Sequence, residues 1–170
     1  KIYQRHLDDL DFRGYNPFGA VNIMQDRVYL FPKPQELRMH LLRRGMVFVD
    51  GKKLEQVELY KELAQKDGRF WCEHDGLTLH LRLPGDADPS QHEVELAIQE
   101  QVFAPRSRGI SYIRVKGITF EHAGNAFPVP QRGMVSASRG HHWIIEDCVL
   151  RHANGVGLDI GAQDWDMESP

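Results

Sequence analysis

The chain has 170 residues, 41% of them hydrophobic and 26% charged, enough apolar material for one packed domain or two small ones and too much for a disordered chain. Its 21 basic and 24 acidic residues are well mixed and sum to a net charge of -3, so no basic face for nucleic acid is expected. No apolar run reaches the roughly 18 residues of a membrane-crossing helix, so a membrane is not an expected partner either.

Residues 1–45 read as an N-terminal segment with one short helix. "RGYNPFG" (Arg13 to Gly19) is a turn by its Gly, Asn and Pro, and "RVYLFP" (Arg27 to Pro32) a short strand. In "PKPQELRMHLLRRG", Pro34 opens a helix and Leu37, Leu41 and Leu42 make its stripe. Arg43 and Arg44 fill its last turn and Gly45 closes it. From residue 46 the apolar period changes to two. "MVFVDGKKLEQV" is a strand, an Asp-Gly turn and a second strand, and "RFWCEHDGLTLHLRLP" repeats the pattern around Asp75–Gly76. Leu77, Leu79, Leu81 and Leu83 share one face, with Thr78, His80 and Arg82 on the other. "GDADP" (Gly85 to Pro89) reads as a turn rather than a calcium loop. Val94, Leu96 and Ile98 close a unit over 46–104 that is antiparallel and β-sandwich-like.

Residues 105–170 carry an internal repeat. "IRVKGITFEHAGN" (113–125) sets against "WIIEDCVLRHANG" (143–155) at an offset of 30, with apolar matches at 113/143, 115/145, 118/148 and 120/150. His122 then matches His152 and Ala123 matches Ala153. The tails "GMVSAS" and "VGLDIG" lie only about 22 apart, the loop "AFPVPQR" absorbing the difference. Short strands, tight corners and a period near 22 residues fit coils of a right-handed parallel β-helix, in which each coil buries its inner face by stacking. The expected fold is therefore all-β, with parallel β-helix coils beside the antiparallel unit.

One carboxylate stands out in "HANGVGLDIG" (His152 to Gly161). Alternation turns Val156, Leu158 and Ile160 into the lumen and Gly157, Asp159 and Gly161 outward. The glycines then leave a bare shelf on either side of Asp159, where a sugar ring can approach the backbone. The rival reading is a solvated Asp on a strand whose glycines serve only the corners. For its neighbour on the preceding coil, an offset of 22 places Ala137 beside Asp159 and an offset of 21 places Ser138 there. The second is preferred, because it turns Val135 and Ala137 inward and both serines outward. Glu121, at a strand end, reaches toward the same face. His122 and His152 stack on successive coils, either as a plain ladder or as ligand contacts. "GHHW" adds His141, His142 and Trp143, and Trp143 and Trp165 lie 22 apart, about one coil. No metal site is expected: the histidines lack zinc spacing, and Cys72 and Cys148 read as two separate thiols. No cofactor fingerprint appears.

"VFVDGKKLEQV", "LRLPGDADPSQHEVE", "YIRVKGITFEHAGN" and "GHHWIIEDCVLRHANGVGLDIG" together resemble bacterial right-handed β-helix glycoside hydrolases, the group around glycoside hydrolase families 120 and 141. The likeness covers roughly residues 46–165, and the order of the motifs is more specific than any one of them. It implies hydrolysis of plant or host glycans, such as xylosides or fucosides, by paired carboxylates on the outer face of the β-helix. Asp159 matches one such position, and His122, Glu121, Ser138, His142 and Trp165 are the expected substrate contacts. The second carboxylate has no match here. Members of the group are several times longer, so the chain is expected to be a piece of a longer protein, with self-association through open coil ends. With no visible signal peptide, the compartment stays open.

Two rivals share this fold class. A polysaccharide lyase would need a base and a charge-neutralising group, roles open to His122, His142 or Arg139. A non-catalytic carbohydrate-binding β-helix would present outward aromatics in rows, for which Trp143 and Trp165 are the candidates.

Overall fold

The computed structural model describes residues 1–19, 45–125 and 132–160. The strand expected at 27–32, the helix expected over 32–45 and Trp165 lie outside the described residues. The chain divides into two compact units, Lys1–Ile98 and Gln99–Pro170. The described residues are mostly β, and their helical segments are short 3-10 turns.

The first unit holds β1 (Tyr3–His6), β2 (Val47–Val49), β3 (Lys52–Lys53), β4 (Glu55–Gln56), β5 (Arg69–Cys72), β6 (Thr78–Arg82) and β7 (Val94–Leu96). They form a four-stranded sheet in the order β1-β6-β5-β4 and a three-stranded sheet in the order β3-β2-β7. Both Asp-Gly turns close where the sequence places them. Asp50 and Gly51 have φ of 49° and 73°, the left-handed pair that a tight hairpin needs, and β2 and β3 pair antiparallel across it. Leu79, Leu81 and Leu83 are buried with Phe18, Val47, Phe70 and Cys72 in one cluster, and Leu77 packs against it. Thr78 departs from the expected open face. It is buried, and its hydroxyl meets His6 Nδ1 at 3.3 Å. β1 pairs antiparallel with β6, Tyr3 beside Leu81 and Arg5 beside Leu79. The sheet unit thus begins at the start of the chain, not at residue 46, because a strand from the N-terminal segment covers the edge of β6.

The second unit holds β8 (Arg114–Lys116), β9 (Thr119–Ala123), β10 (Val135–Ser136), β11 (Ile144–Glu146), β12 (Val149–Ala153) and β13 (Leu158–Asp159). All three pairings are parallel. Ile145 sits beside Val115, Leu150 beside Phe120 and Ala153 beside Ala123, the offset of 30 seen in the sequence. β10 and β13 pair with Val135 beside Leu158. Single parallel bridges, Gln99 to Ala123 and Phe103 to Val135, add an earlier pass of the chain. Residues 99–104 therefore belong with the parallel strands and not with the sheet unit where the sequence reading put them. Val115, Phe120, Ala123, Met134 and Val135 form the core, with Ile113, Ile145, Cys148, Leu150 and Ala153 packed on it. Ile118 departs from its expected inward place: it is 44% exposed, while its repeat mate Cys148 packs on the core.

The corners repeat as strictly as the strands. Gly109 and Arg139, Tyr112 and His142, Gly117 and Asp147, and His122 and His152 all have positive φ, between 53° and 78°. Each pair is one repeat apart, so successive passes turn at the same places with the same left-handed residues. Most of these are not glycine. Such residues cost about 1–2 kcal/mol each in this conformation, so stacking against the neighbouring pass must hold them there.

Candidate functional site

Asp159 ends β13, and the third parallel ladder places it. Val135 donates its N–H to Gly157 O at 3.0 Å, and Ala137 donates to Asp159 O at 3.0 Å. The resulting register puts Ser136, not Ala137 or Ser138, beside Asp159. The parity is the expected one, since alternation keeps apolar Val135 with Leu158 and polar Ser136 with Asp159. The shift is two residues further, because the length of the turn between the passes carries no period. Ser136 is fully buried and Asp159 half-buried. Ser138 N donates to Ser136 Oγ at 3.2 Å, so Ser138 stays close behind its neighbour.

The carboxylate itself meets Gly133, whose backbone N–H donates to Asp159 Oδ2 at 3.3 Å. Residue 133 tolerates no side chain there. A Cβ on it would lie 2.9 Å from Asp159 N, 3.1 Å from Asp159 Cβ and 2.8 Å from Val135 O. On its other side, the Gly133 carbonyl accepts from Gln101 Nε2 at 3.0 Å. The Gly133 peptide thus links Gln101 to Asp159 across successive passes. Glu100 pairs with Arg132, the residue before Gly133, at 3.0 Å. Asn125, fully buried, anchors the same turn. Its Nδ2 donates to Arg132 O at 2.9 Å and Val156 O at 2.8 Å, and its Oδ1 accepts from Gly155 N at 2.9 Å. Sequence reasoning missed Gln101, Arg132, Gly133 and Asn125. Only the glycine left a trace, as a residue of "GMVSAS" whose need for zero bulk is invisible without the partner strand.

The apolar neighbours of Asp159 differ from expectation in burial. Leu158 shares the side of buried Val135 yet is 39% exposed, and Ile160 is 74% exposed. Among the described residues no strand covers the free edge of β13, so the inward side there is open.

The other expected contacts fall in separate places. Glu121 and Arg151 are opposite in β9 and β12 and form an ion pair. That pair, with His122 and His152 nearby, holds the Glu121 carboxyl below the usual carboxylate range, so it carries no proton near neutrality. His122 and His152 lie one repeat apart with ring centroids 5.5 Å apart and planes tilted by 45°. His142 stacks on Tyr112 and meets His141, with no bond to Asp159. Trp143 packs near Phe103, centroids 6.1 Å apart, and its indole N–H donates to Ile110 O at 2.7 Å. It is thereby a packing residue rather than one of an outward row. Among the described residues no group of three or more His, Cys, Asp or Glu is arranged for a metal ion.

No family model and no curated protein matches the sequence. The solved structure of XylC with xylose is similar to this chain in fold, with a TM-score of 0.64 and 23% identity. The match covers 86% of this chain and 26% of XylC, so the chain spans about a quarter of that protein's length.

Proposed function

We propose that this chain is part of a carbohydrate-active protein, a glycoside hydrolase built on a right-handed parallel β-helix, and that the face carrying Asp159 takes a pyranose of the xylose type. The observation that carries the reading is Asp159 itself: a half-buried carboxylate at a strand end, held by the Gly133 N–H and packed close against the Gly133 α-carbon. The fold likeness to XylC, a protein solved with xylose, supports the sugar class. The three stacked parallel pairings support the β-helix. In this reading Asp159 is one of the two carboxylates that glycoside hydrolysis uses, as nucleophile or base, while the second protonates the leaving oxygen. Ser136, beside Asp159 in register, is its neighbour in this reading, and Glu121, tied to Arg151, has a structural part.

The test is calorimetric titration of the purified chain with xylose and xylobiose, beside Asp159→Asn. Saturable binding that weakens tenfold or more in the variant is expected. Equal affinity in both proteins, or no binding at all, would contradict the assignment.

A further inference from the structure

The first unit holds an unfilled cleft beside two edge strands. Among the described residues β1 is an edge of the four-stranded sheet and β7 an edge of the three-stranded one. Leu79 and Leu81 of β6 and Val94 and Leu96 of β7 are among the walls of a cleft of about 690 Å³. That volume lies in the range of about 300–1,000 Å³ common to small-molecule sites. Val94 and Leu96 pack against the core cluster yet stay only partly buried, so apolar wall is left facing the opening. Arg5 is unusual on this side. It stands opposite Leu79 in register, so alternation sends it to the core side of β1 with that buried leucine. A charge at such a position guards a sheet edge against pairing. Guarding does not account for Asp11, which reaches the same cleft from the separate turn Asp9–Phe12. Among the described residues neither the Arg5 nor the Asp11 side chain forms a hydrogen bond or an ion pair. The other charged groups of the lining are engaged. Asp88 accepts from Ser90 N at 3.0 Å, and His92 pairs with Asp50 at 2.7 Å.

An unengaged cation and an unengaged anion beside one apolar wall select among ligands. The head of an anionic ligand would face Asp11, and that of a cationic ligand would face Arg5. Neighbouring hydroxyls suit both, since a hydroxyl accepts from a guanidinium and donates to a carboxylate. The aliphatic wall takes what hydroxyls cannot fill. We infer that this cleft binds a neutral glycoside carrying an apolar substituent, with its sugar hydroxyls on Arg5 and Asp11 and its apolar part against Val94 and Leu96. The cleft lies wholly in the first unit and does not rest on the reading of the Asp159 face.

Octyl β-glucoside, kept below its micelle-forming concentration, is titrated into the labelled full chain, and amide chemical shifts give both the site and the affinity. Saturable shifts at Arg5, Asp11, Val94 and Leu96 are expected. Each methylene taken against the wall is worth about fourfold in affinity, so hexyl β-glucoside should bind at least fivefold more weakly. Octanoate and octylammonium, with the same chain and a charged head, should also bind more weakly. Arg5→Ala and Asp11→Ala, both at exposed positions, should each weaken octyl β-glucoside at least fivefold, with circular dichroism confirming the fold. The absence of saturable shifts at the cleft residues of the parent chain would overturn the inference. So would unchanged affinity in both variants, or a charged octyl ligand that binds as tightly as the glucoside.

Discussion

At the scale of single residues, the second unit rests on polar side chains that join one pass of the chain to the next. Asn125 makes three bonds to two different segments while fully buried. Asn125→Ala would leave the part-buried Arg132 carbonyl and Gly155 N–H without this partner, each costing about 1–3 kcal/mol. A loss of about 2–4 kcal/mol in urea unfolding is expected. Gly133→Ala should cost about 1–3 kcal/mol through overpacking and weaken xylose binding alongside Asp159→Asn, because the added methyl pushes on the Asp159 backbone. Unfolding midpoints and the same titration check both. Ionisable residues set the acid limit. Asp50 is held below the usual carboxylate range first by its bond to His92, Glu55 by Arg69 and Glu121 by Arg151. A carboxyl whose folded value is depressed stabilises fully above its unfolded value and loses that contribution as pH falls through the folded one. Stability should therefore be flat near neutrality and decline below about pH 4. Glu121→Gln and Glu55→Gln should each make that decline shallower in urea midpoints taken from pH 6 to pH 2.5. Because these groups are exposed, each effect is small.

At the scale of elements, strands were easier to read than corners. Alternation placed β2, β5, β6 and β7, and self-similarity at 30 residues placed β8 against β11 and β9 against β12. The reason is physical: burying every second residue writes a period into the sequence, and stacking writes it twice. The register of β10 on β13 was legible only in parity, since the turn that sets it has no apolar period. The corners were hidden because six of their eight left-handed residues are Arg, Tyr, His or Asp rather than glycine. They invite a paired test. Asp147 occupies the left-handed position that Gly117 fills one repeat earlier. Asp147→Gly relieves about 1 kcal/mol of strain and forfeits an exposed ion pair with Lys116 worth less than that, so its melting temperature should hold or rise by a few degrees. Gly117→Ala should lower it by a similar amount. Thermal denaturation of both variants reads the two signs, and a fall for Asp147→Gly would contradict the account of the corners.

At the scale of the whole molecule, the sequence suggested a sheet unit followed by parallel strands, but misjudged where each begins. β1 reaches back to Tyr3, and the bridges at Gln99 and Phe103 start the parallel passes early. Both errors come from contacts made by very short segments, a four-residue strand and two isolated bridges, which leave no pattern to count. The candidate site was legible as one residue, Asp159, and not as its surroundings, since Gly133, Gln101 and Asn125 matter through backbone contacts across passes. Among the described residues no second carboxylate bonds to Asp159 or lies opposite it in register. Glycoside hydrolysis needs a pair, and losing one partner forfeits about 10²–10⁴-fold in rate. Turnover of aryl glycosides by the purified chain that Asp159→Asn abolishes would mean a complete site is present. Binding does not need the second carboxylate and is the more direct test of the central claim. Amide chemical shifts of the labelled chain, followed during titration with xylose, should move saturably at Gly133, Ser136 and Asp159 and stay still in the first unit. Xylose that shifts only residues elsewhere, or none, would contradict the assignment of this face to a sugar.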